Sequence, residues 1–401
     1  MRRSKKLSPQ DLLLAAPALV VALLLRLIRP VATIRFRNLP ADEIGPLTVV
    51  SQHYLRIKES QPKPRQFDFW YLKESVKVSN DYMLAFVESQ IKIQRSRFIE
   101  LIAAWNEKLP GSERHLIESE VRLTLLERVG SKLRLPQADR DASSEYVRQI
   151  GIDPQKEFIA LMVRDGAYKS EVLQLNTHQR SDKELYRNQD INDYLPVAEK
   201  FASMGVQVIR MGAKVERSFD SKSALVIDYA TSGKRAEAAD IYLASECAMC
   251  ISTNLGFDHI SALSGKLRVI TNQALIWQTS TLFYSTDVFT MQRFVETSTG
   301  KNLTLAESLQ IAEIRNLDWY HKVIDRGLQF VRNSPTEILE ASLEGWQRSK
   351  SQWVETAEDL ELQAQFWNIY DSFFPDHKSR FLNGRPHIGA HFLRTNKWWL
   401  A

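Results

Sequence analysis

The clearest hydrophobic pattern lies between residues 158 and 271, where apolar runs too short for helices alternate with segments of helical spacing. Phe158 to Val163 is such a run, and it ends abruptly in Arg164-Asp165, as a buried parallel strand with polar groups at its C-terminal end would. Val206 to Met211, ending at Gly212, repeats the signal, as do Leu225 to Tyr229, Ala248 to Ser252 and Leu267 to Thr271. Between them Ile191 to Met204, Ala236 to Ser245 and about Phe257 to Ser264 read as helices. In the first of these Tyr194, Leu195, Ala198, Phe201 and Ala202 recur at helical spacing and Gly205 closes the helix. Strands and helices so alternated predict a doubly wound α/β domain.

The first half is less regular. Val31 to Phe36 predicts a strand, Leu47 to about Ile57 a helix, Phe69 to Leu72 a second strand, and Arg97 to Lys108 and Glu113 to Gly130 further helices. The polar stretch Leu135 to Ser144 marks a boundary, and beyond Trp277 the chain turns aromatic and irregular. Helices are then expected over Leu305 to Ile314, Pro335 to Lys350 and Thr356 to Tyr370. The organisation expected is an apolar, basic segment at 1–30, a Rossmann-like domain at 31–150, a second at 151–290, and a helical extension at 291–401.

Charge changes the picture at one end only. The chain of 401 residues carries a formal charge of +5, yet residues 1 to 37 hold Arg2, Arg3, Lys5, Lys6, Arg26, Arg29, Arg35 and Arg37 against the single acid Asp11. The remainder is slightly acidic, which argues against a nucleic-acid-binding body, since such a body displays its basic residues on the folded domain. Between the basic clusters, Leu12 to Leu25 is uninterruptedly apolar. As a helix it would rise about 21 Å, short of the roughly 30 Å hydrocarbon core. Basic flanks on both sides and Pro17 in the middle suit a segment that dips into the cytoplasmic leaflet, with a true span as the rival. A secretory signal peptide shares the basic and apolar regions, but Arg26 to Arg37 offers no small-residue cleavage site. The expected location is the cytoplasmic face of the inner membrane.

Cys247 and Cys250 are the only cysteines, so no disulfide framework is possible. Their CAMC spacing lacks the two further ligands that zinc needs, and it leads into a strand rather than opening a helix as a redox motif does. Both read as small buried residues. No Walker loop, GxGxxG or GxSxG follows any strand. Asp139-Arg140-Asp141 has the DxD form of a metal-binding motif but sits in the polar linker, so no metal is expected.

Candidate chemistry gathers at predicted strand ends. Arg164-Asp165, Met211-Gly212 and the junction Ser252-Thr253-Asn254-Leu255-Gly256 all stand where ligands bind in open α/β sheets. The junction also opens a helix, whose free N–H groups favour phosphate; simple N-capping by Thr253 or Asn254 explains the same residues. The long polar loop after Phe158 to Val163 adds His178, Arg180, Arg187, Asn188 and Asp190.

The strings RDGAY, YRNQDINDY, VIRMG, VIDYA, DIYLASE, ISTNLGFD and FLRTNKWWL, in this order, resemble a family of bacterial glycosyltransferases associated with surface-polysaccharide genes, most strongly from Phe158 to Asn272. The resemblance implies the two-Rossmann GT-B architecture, with a nucleotide-sugar donor in the C-terminal domain and a glycan or lipid-linked acceptor meeting it from the N-terminal one. By resemblance Arg164, Asp165, Arg187, Asn188, Asp190, Ser252, Thr253 and Gly256 match recurrent positions. The N-terminal half departs: where the family pattern has RFG and then GHL, this chain has Arg35-Phe36-Arg37 and Gly45-Pro46-Leu47.

Transfer without a metal or other cofactor needs cations to stabilise the departing nucleoside diphosphate, for which Arg164, Arg180 and Arg187 are candidates. It also needs a base for the acceptor, for which His53 and Glu59 are candidates, with Asp165 a further catalytic candidate. The N-terminal departures keep alive a non-catalytic nucleotide-sugar or glycan binder. Another enzyme on the same fold, such as a sugar epimerase or pyruvyl transferase, is the remaining alternative.

Overall fold

The computed structural model describes residues 9–118, 133–168, 186–274, 284–312, 319–381 and 384–401. The chain forms two compact units, Met1–Val121 and Arg122–Ala401. Each is α/β and built on a parallel sheet, as the sequence pattern predicts.

Unit 1 contains α1 (Pro9–Leu27), β1 (Thr33–Asn38), α2 (Ile44–Ser60), β2 (Gln66–Tyr71), α3 (Asp81–Glu88), β3 (Ile93–Gln94) and α4 (Arg97–Lys108), with its strands in the order β1-β2-β3. Helix α4 has the expected bounds. Of the helix expected over Glu113 to Gly130, residues 113–115 lie in a 3-10 turn at Ser112–His115 and Leu116 bridges to Phe36; residues 119–132 lie outside the described residues. The apolar N-terminal segment is no appendage. Ala18, Ala22 and Leu25 of α1 are buried with Phe36, Tyr71, Leu101, Ile102 and Ala103, the alanines permitting close approach of α1 to α4. Trp105 Nε1 donates to the Ala15 carbonyl at 2.9 Å, and Arg26 Nη1 donates to Asn106 Oδ1 at 2.8 Å. Among the described residues, no helix is long and apolar enough to cross a membrane.

Unit 2 opens with α5 (Gln137–Gln149), in the segment expected to be a polar linker within the first domain. Only Ser143 and Val147 of its thirteen residues are buried, so it lacks the apolar stripe that announces a helix. There follow β4 (Phe158–Met162), α6 (Leu195–Ser203), β5 (Gln207–Arg210), β6 (Val226–Asp228), α7 (Glu237–Glu246), β7 (Met249–Ser252), α8 (His259–Leu263) and β8 (Leu267–Gln273). Next come β9 (Val288–Met291), β10 (Arg293–Glu296), α9 (Leu305–Ala312), α10 (Trp319–Asp325), β11 (Leu328–Val331), α11 (Pro335–Ser349), α12 (Ala357–Phe373), β12 (His387–Ile388) and α13 (Ala390–Thr395). Seven strands make one sheet in the order β12-β9-β8-β7-β4-β5-β6, every neighbouring pair parallel. All five residues of β4 are buried, as the central strand of a sheet covered on both faces requires.

On one face Ile159, Leu161, Val208, Met249, Ile251 and Val269 pack against α6 and α11. Toward the other edge Ile270, Phe289 and Met291 pack against α9, α12 and α13. The C-terminal residues expected as a helical extension therefore complete this domain, covering its sheet and adding β12 beside β9. Strand β9 escapes sequence reading because Asp287 and Thr290 break its apolar run, and β12 because it has only two residues. Helices α11 and α12 begin with reciprocal capping boxes, Ser334 with Glu337 and Thr356 with Asp359, which set their first turns.

The seat of α11 on the sheet depends on Gly345, where a Cβ would collide with Val269 Cγ2. Gly345→Ala is expected to lower stability by about 1–3 kcal/mol through overpacking, in spite of alanine's better helix propensity. Urea unfolding of variant and parent measures it; a stabilised variant would mean the contact relaxes freely.

Candidate functional site

Strand order places the site. From β4 the chain adds β5 and β6 on one side, then returns to add β7, β8 and β9 on the other, so the direction of winding switches between β4 and β7. Met162 pairs with Ser252 at the C-terminal ends of these two strands, so the segments starting at Val163 and Thr253 leave the sheet side by side. They are tied together at once. Thr253 N donates to the Met162 carbonyl at 3.3 Å, and Arg164 N donates to Thr253 Oγ1 at 3.0 Å.

Residues 186–190 lie across this junction. Gln189 N donates to the Arg164 carbonyl at 2.9 Å, Arg164 Nε to Asn188 Oδ1 at 3.3 Å, and Arg187 Nη2 to the Asn254 carbonyl at 2.9 Å. Five residues singled out from sequence, Arg164, Arg187, Asn188, Thr253 and Asn254, thus meet at one place. Asp190 caps the following turn, accepting from Asn192 N at 3.0 Å, and Gly256 is exposed. Arg180 and His178 fall in 169–185, outside the described residues.

Asp165 organises the next loop. Its Oδ1 accepts from Ala167 N at 3.1 Å and its Oδ2 from Glu216 N at 2.8 Å, while Glu216 Oε1 accepts from Gly166 N at 3.1 Å. Gly212 permits the turn, since a Cβ there would stand 2.6 Å from Val215 Cγ1. Behind the loop lies Arg210, with 2% of its side chain exposed and Nη1 3.2 Å from Asp228 Oδ2.

These groups enclose a cavity of about 180 Å³ whose wall includes Asp165, Asn188, Gln189, Arg210, Arg217 and Arg332. Gln189 is 6% exposed, and neither its side-chain nitrogen nor its oxygen has a hydrogen-bond partner among the described residues; Arg210 Nε is likewise unmet. An unmet buried polar group costs about 1–3 kcal/mol, so such a wall suits a polar occupant with both donors and acceptors.

The turn after β7 has an anatomy that sequence reading missed. Instead of a helix starting near Phe257, a 3-10 turn at Gly256–Asp258 leads into the five-residue α8. Asp258 Oδ2 accepts from Leu255 N at 2.8 Å and from Ser252 Oγ at 2.5 Å, so Leu255 N–H and the Ser252 hydroxyl serve the fold. Positive charge at this site therefore comes from guanidinium groups more than from a helix end. Arg268, wholly buried, holds Asp258 Oδ1 at 2.6 Å and Asp287 Oδ2 at 2.5 Å. Desolvation opposes its charge, but Asp287 and Asp258 outweigh that and raise its pKa. Burial and then Arg268 hold neighbouring His259 down to about 4, neutral.

Buried amides complete the floor. Asn254 Nδ2 donates to Gln273 Oε1 at 2.9 Å, Gln292 Nε2 to the Tyr186 carbonyl at 2.9 Å, and Asn272 and Asn333 exchange bonds at 2.7 and 2.6 Å. Asn254 and Asn272 both adopt left-handed backbone, φ 60° and 57°, which asparagine tolerates better than most residues. Asn272 and Gln273 end a recognised strand and were the legible hint; Gln292 and Asn333 lie far off in sequence.

Of the remaining candidates, His53 is buried in unit 1, and Glu59 is exposed and paired with Arg56 at 2.7 Å. Neither lines the cavity of about 490 Å³ in that unit, whose wall includes Arg35, Tyr54, Lys58, Gln66 and Asp68. There Arg35 Nε stands 2.7 Å from Asp68 Oδ1, and burial followed by the charge of Asp68 pushes the Tyr54 phenol up to about 12. Asp139-Arg140-Asp141 lies on α5, with Asp141 accepting from Gln137 Nε2 at 2.7 Å. Cys247 and Cys250 are buried and free, and burial pushes the Cys247 thiol up to about 11. Among the described residues no group of three or more His, Cys, Asp or Glu is placed to hold a metal ion.

No protein-family model matches the chain, and no curated protein matches its sequence. Solved structures that it resembles include a glycosyl transferase of family 9 from Veillonella parvula DSM 2008, at 8% identity and TM-score 0.40, covering 78% of this chain and 96% of that one. The E. coli ADP-heptose LPS heptosyltransferase II follows at 11% identity and TM-score 0.40, with 73% and 99% covered. An E. coli heptosyltransferase holding ADP-2-deoxy-2-fluoro heptose has 10% identity and TM-score 0.31, with 64% and 93% covered. At such TM-scores these likenesses carry no weight for chemistry, which rests on the residues above.

Replacing Arg268 by Met leaves two buried aspartates without their cation and is expected to cost about 3–5 kcal/mol, read from denaturant unfolding. A loss under about 1 kcal/mol would mean that the aspartates find other partners. His259 gives a pH signature. Its folded pKa lies near 4 and its ordinary value near 6.5, so between these the unfolded chain binds a proton that the folded chain does not. Stability should fall as pH drops through this window, by up to about 3 kcal/mol, and His259→Gln should remove that part of the slope. Asp240, held near 6 chiefly by burial, acts in the opposite sense, so the difference between variant and parent is the quantity to follow. Equal slopes would overturn the assignment.

Proposed function

We infer that this protein is a glycosyltransferase that moves a sugar from a nucleotide-sugar donor to a surface-glycan or lipid-linked acceptor. The observation that supports this most is the polar cavity between the loops of β4 and β5, beside the switch point, with Arg210, Arg217, Arg332 and the unmet amide of Gln189 in its wall. A departing nucleoside diphosphate concentrates negative charge, and Arg164 and Arg187 stand where the loops of β4 and β7 meet to receive it. Positive charge supplied by side chains makes a metal-independent transfer the natural reading. The motif strings from Phe158 to Asn272 point the same way.

The acceptor and its base belong, on this reading, to unit 1. A second reading, a protein that binds the donor without turnover, draws on one observation: Asp165 is engaged by backbone amides, Glu59 by Arg56, and His53 is buried. Release of nucleoside diphosphate from a panel of nucleotide-sugars, in the presence of glycan and lipid-linked acceptors, separates the two. Release supports transfer; tight binding with no release under any acceptor supports the binder.

Arginine and lysine differ at a bidentate phosphate site. Arg187→Lys and Arg187→Ala are therefore expected to weaken binding of the preferred nucleoside diphosphate by about 2 kcal/mol, roughly thirtyfold, with melting temperature nearly unchanged. Calorimetric titration measures it. A lowered melting temperature with unaltered affinity would make Arg187 a loop tie to Asn254 and nothing more.

A further inference from the structure

Helix α1 has two apolar faces, and the fold uses one. Ala18, Ala22 and Leu25 are buried against α4, which accounts for a single side of the helix. Every exposed residue between 12 and 27 is nevertheless apolar. Leu13, Val20, Leu24 and Leu27 recur along one line at helical spacing, with Leu12 and Leu23 beside it, and Leu13 and Leu27 are 78% and 74% exposed. An outward helix face in water normally carries charge, and an apolar stripe of this length marks an interaction surface.

The charges around the stripe are asymmetric. Of the basic residues on its C-terminal side, Arg26 is bonded to Asn106, Arg29 meets His115 Nε2 at 3.2 Å, Arg35 pairs with Asp68, and Arg37 donates to the Ile117 carbonyl. These four belong to unit 1. The cations that precede the helix in the chain are Arg2, Arg3, Lys5 and Lys6, against Asp11 alone.

We propose that α1 docks unit 1 onto an anionic lipid bilayer, lying in the plane of the interface with Leu13, Val20, Leu24 and Leu27 among the acyl chains. The face held by α4 keeps the helix from entering further, so it anchors without spanning. Residues 2–6 supply the attraction to anionic headgroups. A second copy of the chain fits the stripe less well, because it carries the same excess of basic residues before the helix, whereas anionic lipid is opposite in charge. Docking does not depend on glycosyl transfer, and the test contains no nucleotide.

The full chain is sedimented with vesicles of phosphatidylcholine alone and of phosphatidylcholine with phosphatidylglycerol. The parent is expected to bind the anionic vesicles at least about tenfold more tightly than the neutral ones. Leu13→Gln, Leu24→Gln and Leu27→Gln combined should lower vesicle binding about tenfold or more at an unchanged melting temperature, because these side chains are exposed. Replacing Arg2, Arg3, Lys5 and Lys6 by Gln should abolish the preference for anionic lipid. A parent that ignores both vesicles, a triple variant that binds like the parent, or a dimer in analytical ultracentrifugation that the triple variant dissolves would each overturn the proposal.

Discussion

The geometry of the candidate site depends on a charge buried where none would be expected. Arg268 at the start of β8 is wholly buried and is held by Asp258 and Asp287. Its consequence is structural before it is electrostatic. Asp258, fixed by Arg268, takes the Leu255 N–H and the Ser252 hydroxyl, which sets the course of the chain as it leaves β7. That course presents the Asn254 carbonyl to Arg187 and the Thr253 hydroxyl to Arg164 N. Well-packed apolar residues often match a buried ion triad in stability, so its value here lies in placing a loop.

The parallel sheet supplies the other half of the arrangement. Because winding reverses between β4 and β7, the chain leaves these two adjacent strands side by side, at the carboxyl ends where open parallel sheets bind ligands. Residues 186–190 lie across this junction, and the buried amides at the ends of β7, β8 and β9 approach it through the bond from Gln292 to the Tyr186 carbonyl. In the wall of the neighbouring cavity Gln189 and Arg210 retain unmet atoms.

Much of this was legible in the sequence, for identifiable reasons. Strands β4, β5, β7 and β8 announced themselves because burial on both faces demands unbroken apolar runs, and Arg164, Thr253 and Asn254 stood out as the first polar residues after them. Helix α5 was hidden because two buried positions make no stripe, and β9 because Asp287 and Thr290 interrupt its apolar run. The cap at Asp258 was beyond reach: its partner Arg268 opens the next strand, and a charged residue there reads as an exposed edge until the pairing is seen. Gln292 and Asn333 approach the site only through the fold. In α1 the apolar run does not say which face the protein itself covers, and the packing of Ala18 and Ala22 against α4 answers that.

The central claim is that a nucleoside diphosphate lies at the β4–β7 switch point. Amide chemical-shift mapping of the isotopically labelled protein, titrated with the nucleoside diphosphate that gives the largest thermal stabilisation, addresses it most directly. The account predicts that the largest perturbations fall on Arg164 to Gly166, Arg187 to Asp190 and Thr253 to Gly256. Perturbations confined to unit 1, or to residues around β6 and β12 at the edges of the sheet, would contradict it.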